Sequence, residues 1–538
     1  MTEIVTSQTP PILNGPSEKE RKYDRQLRLW AASGQAALES ANILLVNSGA
    51  GTVGVEALKN LVLPGIGRFA IYDDALVNEA DLGVNFFLDE SCLGKSRSQS
   101  LTALLLELNP EVQGAWFPNR ENVTSLESLL VSSPVFTAAI YTYPVQPEHL
   151  SLLKTYGLQH KIPLFGVHSA GFYSYFKIGL PGAFPIVDTH PDETATTDFR
   201  LLTPWPELLT FARDLTRDID NLDHMEHGHL PYAVILLYYL DQWKLAHSGV
   251  SPKTYKEKTE FRKIVQSAAR TDNAEGGEEN FEEAAAAVLK TLVSPSLPSG
   301  LKEVFEYKSK FPAEERSGFW IIADAVEKFY AEHQCLPVPG NVPDMKAQSK
   351  VYVQLQNIYK AKARQDAAEV LNTVRATEGG QNIDPAEVEL FCKNAAFVKL
   401  INATGGDSNS TASAGDHLKT VVDQELENDK NAEAMMMPLS LLPIYLALQA
   451  TSHVSSANAD EILAEICKVV PGANQNERIV KAAHEVARAE GGELHNIAAL
   501  TGGMVAQEMI KIVTKQYVPI DNTCVFDGIN SRCQVLRL

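Results

Sequence analysis

Short apolar runs and helical stripes alternate along the first third of the chain. Ile43 to Asn47 is a continuous apolar run ending in a turn, the pattern of a strand buried on both faces. Val53 to Leu63 spaces its apolar residues for a helix, and Arg68 to Asp73 reads as the next strand, so the three predict a βαβ unit. The alternation continues with a helix near Lys95 to Leu108, strands at Val112 to Phe117 and Val135 to Tyr141, and a helix near Glu148 to Tyr156. Strands around Pro163 to Val167 and Phe172 to Ile178 follow. Such alternation predicts an α/β fold with a doubly wound, mostly parallel, Rossmann-like sheet.

Beyond about Pro181 the pattern turns to long helical stripes. In Val351 to Leu371, for example, Leu355, Ile358, Tyr359 and Lys362 share a face. Near the C-terminus a helix at Gly502 to Thr514 leads into candidate strands YVPID and CVFDG. The expected organisation is an α/β domain built from residues 1–180 and 490–538, interrupted by a large, mainly helical inserted domain at 181–489. Two stretches rich in Gly, Ser and acids, Thr271 to Asn280 and Ala403 to Asp416, are expected to be mobile loops or linkers.

Composition narrows the function classes. A chain of 538 residues with a formal net charge of −20 repels polyanions, so neither nucleic acid nor an anionic membrane surface is expected as a partner. No apolar run approaches a membrane span, and the polar first twenty residues are unlike a signal peptide; a cytoplasmic or nuclear location is expected. The six cysteines are scattered without a C-x-x-C pair, which suggests neither a disulfide framework nor a zinc site. His224, His227 and His229 fit no standard zinc spacing, so no metal is expected on this chain.

The turn after the first strand carries a complete G-x-G-x-x-G, Gly49, Gly51 and Gly54, with Asp73 ending the second strand. Glycines there let backbone amides approach a phosphate at a helix N-terminus, and the acid can hold a ribose hydroxyl. The same glycines also suit a tight strand-to-helix turn with no ligand. A self-sufficient nucleotide enzyme, either adenylating or NAD-dependent, and a pure interaction scaffold both stay open at this point.

Segments at both ends of the chain add a resemblance. RKYDRQLRLW (Arg21 to Trp30), the glycine fingerprint, GKSR (Gly94 to Arg97) and Gly502 to Gly528 together resemble the activating enzymes of ubiquitin-like proteins, relatives of bacterial adenylating enzymes. LKNLVLPGIG, NFFLDESCLGK, NLDHME, PKTYKEKTEFR and PDMKAQSKVYVQLQNIY carry the likeness to the regulatory subunits of neddylation-activating heterodimers, over nearly the whole chain. Active members carry an N-x-N-R-Q stretch that grips triphosphate and an Asp that holds magnesium. Here Asp81, Gly83, Val84 and Asn85 stand where Asn, Asn, Arg and Gln are expected, and Pro144 stands in the place of the Asp. Without the Arg and the Asp, phosphoryl chemistry has neither its cationic clamp nor its metal, even with Lys95 retained.

The resemblance therefore implies a degenerate adenylation domain, with Gly49, Gly51, Gly54 and Asp73 as a relic and no cofactor bound by this chain alone. ATP, magnesium and the thioester cysteine would belong to a catalytic subunit paired with it. The implied partners are that subunit, a ubiquitin-like modifier and, indirectly, its conjugating enzyme. None of the six cysteines lies in a catalytic-cysteine segment; Cys335, two residues from His333, is the nearest to suspicion. The implied interface is Leu63, Pro64, Gly65 and Ile66 together with Val342, Pro343, Asp344, Met345 and Tyr352. A helical reading of RKYDRQLRLW places Arg21, Arg25 and Arg28 on one stripe beside Tyr23, Leu27 and Trp30. The resemblance implies that Arg25, supported by Arg28, reaches in trans to the ATP phosphates on the partner.

Overall fold

The computed structural model of the chain describes residues 17–119, 124–191, 198–272, 276–294, 296–307, 318–402, 414–454 and 457–538. They form two compact units: one runs to Phe184 and resumes at Ile401, and the other is Pro185–Leu400.

The first unit begins with α1 (Glu18–Lys22), α2 (Asp24–Ser40), β1 (Asn42–Val46), α3 (Thr52–Val62), β2 (Arg68–Tyr72), α4 (Glu79–Leu82), α5 (Arg97–Leu108) and β3 (Gln113–Phe117). It continues with α6 (Leu126–Ser132), β4 (Ala138–Thr142), α7 (Pro147–His160), β5 (Leu164–Ala170) and β6 (Tyr173–Gly179). Strand β7 (Ala183–Val187) then leads out of it. The second unit holds α8 (Pro206–Thr216), α9 (His224–His227), α10 (Tyr232–Ala246), α11 (Tyr255–Ser267), α12 (Glu279–Thr291), α13 (Ser299–Glu306), α14 (Gly318–His333), α15 (Ser349–Ala376) and α16 (Pro385–Lys393). Strand β8 (Val398–Asn402) leads back, and α17 (Ala414–Ala434), α18 (Leu442–Ala450), α19 (Ala459–Val469), α20 (Glu477–Arg488), α21 (His495–Thr514), β9 (Thr523–Asp527) and β10 (Arg532–Leu536) complete the first unit.

The sheet order is β10-β9-β6-β5-β4-β1-β2-β3. Strands β1 to β5 are parallel, Ile43 facing Phe69 on one side and Ala138 on the other, while β6, β9 and β10 extend the sheet antiparallel. The chain winds from β1 outward to β3 and then returns to β4 on the other side of β1. The crevice beyond the ends of β1 and β4 is thus the switch point at which doubly wound sheets take their ligands.

Helix α3 is buried around most of its circumference, from Thr52 to Leu58 and again at Leu61 and Val62. Helix α21 covers it within the unit. A Cβ on Gly502 would fall 2.6 Å from the Ala57 nitrogen, so only glycine lets the two helices approach so closely. Helix α21 is long and apolar enough to cross a bilayer by length and composition, contrary to the expectation that no such run exists, but 61% of its apolar window is buried inside the protein.

The helical insertion ends at Leu400 and not at residue 489. Helices α18 to α20 pack Leu442, Tyr445, Leu446, Ile462, Ile479 and Val486 into one core with Ala170, Tyr175 and Val525 of the sheet. Helical periodicity alone could not assign these helices to one unit or the other. Two smaller differences concern strands: YVPID is irregular, and CVFDG becomes β9, paired with an unforeseen β10.

The second unit has two apolar cores, one gathered around α8, α10, α11 and α12 and the other around α13, α14, α15 and α16. The loop expected at Thr271 to Asn280 is anchored at its end: Glu278 is buried with its Oε1 2.8 Å from His227 Nδ1, and Asn280 donates to the carbonyls of His227 and Leu230. His227 therefore serves the fold, while His224 and His229 lie outside the buried interior. Residues 403–413 of the other expected loop lie outside the described residues, and 414–416 begin α17.

Candidate functional site

At the switch point the glycine loop exists with the backbone its sequence demands. Gly49 (φ +60°) and Gly51 (φ +66°) are left-handed, and Gly51 precedes α3 with no side-chain cap. The space around the loop is filled by the protein itself. A Cβ on Gly49 would lie 2.9 Å from Pro144 Cδ, one on Gly51 2.3 Å from Asn47 Nδ2, and one on Gly54 2.7 Å from Thr142 Cγ2. Ser48 Oγ donates to the carbonyls of Thr142 and Pro144, both at 2.6 Å. The proline that replaces the expected magnesium ligand thus closes down on the loop.

The acid that could hold a ribose is engaged elsewhere. Asp73 is 1% exposed and accepts from Arg97 Nε (2.7 Å), Arg97 Nη2 (3.1 Å), Asn47 Nδ2 (2.8 Å) and the Ala75 amide (3.0 Å). Arg97 Nη1 also donates to Asp81 Oδ1 at 3.0 Å, and Asp81 Oδ2 caps the Asn78 amide. Burial by itself lowers the basicity of the Arg97 guanidinium, but Asp73 and then Asp81 more than offset this and hold it above its usual value. Both carboxylates face a cation inside the chain, leaving no open acceptor fork for a sugar.

The anion position is filled as well. Glu493, 5% exposed, places its Oε2 3.1 Å from the Val53 amide in the first turn of α3, where a phosphate sits in nucleotide-binding relatives of this fold. Burial pushes its carboxyl up to about 7, against the opposing pull of the Val53 amide and Arg97. Two residues further on, His495 Nδ1 lies 3.1 Å from the Val84 carbonyl, and the Phe86 ring stacks on the His495 ring at 3.6 Å. The start of α21 therefore pins the stretch that replaces N-x-N-R-Q: Asn85 is buried, Val84 is half-buried, and Gly83 and Lys95 are exposed.

Sequence reasoning missed Glu493, Arg97 and His495. Glu493 and Val53 are 440 positions apart, so no local pattern could join them. Arg97 was quoted within GKSR, yet burial is what turns that arginine into a counter-ion for Asp73.

Arg25 and Arg28 lie elsewhere, at the start of α2. The expected stripe with Arg21 is broken at Tyr23 (φ −104°, ψ 17°), which ends α1 and begins α2. Tyr23 turns inward, accepting from Asn109 Nδ2 and donating to Glu111. A second break at Trp30 and Ala31 buries the Trp30 ring, while Leu29 stays exposed. The Arg25 side chain is 89% exposed with Asp24 no nearer than 3.9 Å, and Arg28, 71% exposed, pairs with Asp24 at 3.1 Å.

The expected interface is only partly at the surface. Leu63 is 46% exposed, but Pro64, Gly65 and Ile66 are buried in their own unit: the Pro64 carbonyl accepts from Gln35, and a Cβ on Gly65 would strike the Tyr23 hydroxyl at 2.6 Å. In the second unit Pro343 and Asp344 are exposed and Val342 half-buried, Met345 joins the core, and Tyr352 folds back to donate to the carbonyls of Val342 and Pro343. The Met435 to Met437 run is exposed within its own unit.

No shifted thiol among the described residues is lowered toward a thiolate. Burial raises Cys335, with Arg200 only partly opposing, and pushes Cys392 and Cys524 up to about 12; Cys533 is raised too.

Comparison with known proteins accords with this geometry. The ThiF family profile matches residues 23–538. The chain is 34% identical over 550 residues to the NEDD8-activating enzyme E1 regulatory subunit of Gallus gallus, covering 97% of this chain and 99% of the relative. It is 33% identical to the protein of that name from Drosophila melanogaster (97% and 98% covered). Identity to the regulatory subunit AXR1 of Arabidopsis thaliana is 31%, with 97% of both chains covered.

Proposed function

The chain belongs to the ThiF family and, within it, to the NEDD8-activating enzyme E1 regulatory subunits, and from that premise we propose that it is the noncatalytic half of a heterodimer that activates a ubiquitin-like modifier. In this reading the catalytic subunit binds ATP and magnesium, adenylates the modifier and carries the thioester cysteine, and the loaded modifier then passes to a conjugating enzyme. The reading places the heterodimer in the cytoplasm or nucleus.

The observation that carries it is Glu493 on the first turn of α3. Adenylation needs that position for phosphate, an acid free to hold the ribose and a cationic clamp; here the chain's own carboxyl occupies the first, Arg97 engages Asp73 at the second, and Val84 stands at the third. Pro144 and raised thiols support the same conclusion for metal and thioester chemistry.

The chain's contribution to chemistry would come from Arg25 at the exposed start of α2, reaching across to the partner's triphosphate as a planar, permanently charged fork, with Arg28 beside it. The deciding experiment measures modifier-dependent exchange between pyrophosphate and ATP. The isolated chain should give none, and a catalytic partner should supply all of it. Exchange by this chain alone at the rate of the assembled pair overturns the proposal.

A further inference from the structure

Three sulfur atoms gather where α21 meets the antiparallel edge of the sheet. Met504 comes from α21, Cys524 from β9 and Cys533 from β10. Cys533 Sγ lies 3.9 Å from Met504 Sδ. The antiparallel register pairs Cys524 with Val535 and Cys533 with Phe526, which makes the two cysteines diagonal neighbours on the same face. Both thiols are free; Cys524 is buried and Cys533 exposed, so one ligand is held rigidly and the other meets solvent. Met504 and Cys524 also line a cavity of about 430 Å³ with Phe176, Leu500 and Ile520.

Two thiols and a thioether form an all-sulfur donor set, which selects soft cations over magnesium, calcium or manganese. The spacing is also suitable: ligands about 2.3 Å from a central ion in a flat trigonal arrangement lie about 4.0 Å apart, close to the 3.9 Å between Cys533 and Met504. Zinc would need a fourth ligand, and the nearest acid on the cavity wall is already used, Glu508 accepting from Lys511 Nζ and from the Ile520 amide. We propose that Met504, Cys524 and Cys533 form a three-coordinate site for a soft monovalent cation, Cu(I) in particular. Binding exchanges the thiol protons for the ion with no change of oxidation state. This site is separate from the nucleotide reading above and stands or falls without it.

The test is an anaerobic competition titration of the reduced full-length chain against a chromophoric Cu(I) chelator, with copper-edge absorption spectroscopy of the loaded protein. The chain should take up one Cu(I) with a shell of three sulfurs at about 2.3 Å. Met504→Leu, which preserves volume, should weaken binding about tenfold or more, and Cys533→Ser should abolish it. A double Cys335→Ser, Cys467→Ser variant should bind as the parent does. Failure to compete with the chelator, nitrogen or oxygen in the shell, or unchanged affinity in both Met504→Leu and Cys533→Ser would overturn the proposal. Circular dichroism showing the parent spectrum in each variant keeps a folding defect from being mistaken for loss of the site.

Discussion

The switch-point crevice and the start of α2 both carry charged groups that the proposed function ties to a triphosphate, and they have opposite fates. In the crevice the buried charged groups are answered from within, while Lys95 is exposed: Glu493 caps α3, Arg97 binds Asp73 and Asp81, and Pro144 rests on Gly49. At the start of α2, Arg25 projects into solvent with no carboxylate among the described residues closer than 3.9 Å. Charge buried without a ligand must be answered from within, because each uncompensated charge in the interior is strongly destabilising. An exposed cation stays hydrated at little expense and can wait for a partner. On the proposed function, self-satisfaction would mark a site that no longer works, and openness one whose ligand lies on another chain.

The largest effect should come from breaking the filled side of the comparison. Arg97→Leu leaves Asp73 and Asp81 buried without their cation and should lower stability by about 3–5 kcal/mol, read from the denaturant midpoint at constant slope. Arg28→Ala removes only an exposed i,i+4 pair with Asp24 and should change it by about 0.5 kcal/mol at most. Similar losses in the two variants would erase the distinction between the regions.

The open side is sharpened by Arg25→Ala in the assembled heterodimer. Assembly should persist while single-turnover adenylation at saturating ATP slows by about tenfold to a thousandfold, the range for removing one well-placed transition-state donor. Arg25→Lys should recover only part of the rate, since a point charge lacks the fork. A rate within about twofold of the parent would make α2 a structural strap and leave Arg25 as hydrated surface.

How much of this contrast could be read beforehand follows from the range of each interaction. The βαβ start and the glycine turn are local patterns, and the fold reproduces them. The stripe of Arg21, Arg25 and Arg28 was also a local reading, but it failed because Tyr23 turns inward to Asn109 and Glu111, nearly ninety positions on, and breaks the helix there. The interface at Pro64, Gly65 and Ile66 failed for the same reason, since Gln35 and Tyr23 cover that turn from within the unit. Glu493 was invisible because only the closed sheet brings the segment before α21 to the glycine loop.

A smaller effect, on the order of 3 kcal/mol, concerns pH. A glutamate whose folded value is about 7, against about 4.3 unfolded, holds its proton in the native state over the interval where the unfolded chain has lost it. Stability from this group is therefore full below about pH 4.3, declines as pH rises toward about 7, and is level above. Glu493→Gln keeps an acceptor for the Val53 amide and removes the titration. The variant should match the parent at pH 5 or fall slightly below it, and exceed it at pH 8. Equal pH profiles in guanidinium unfolding would mean that the carboxyl titrates as an ordinary surface acid and does not fill the crevice as a buried group.

The smallest effect is expected at Cys335, where the comparison meets its hardest case. This thiol is neither sealed like Cys392 nor open like Arg25: it is half-buried, near His333, and Arg200 pulls its titration down. Those are the ingredients of an activated nucleophile, but burial outweighs the arginine, Asp366 and Asp198 add to the upward push, and the thiol ends above its ordinary value. His333 is engaged as well, its Nε2 2.6 Å from Glu369 Oε1. A thioester step routed through Cys335 would thus begin from a protonated sulfur whose neighbouring base is paired elsewhere. Cys335→Ala should leave thioester formation on the heterodimer within about twofold of the parent in single-turnover gels. Modifier trapped on this chain in a form released by reducing agent, and lost in Cys335→Ala, would show that half-burial had concealed a working nucleophile and that satisfaction within the chain is not by itself the mark of a silent site.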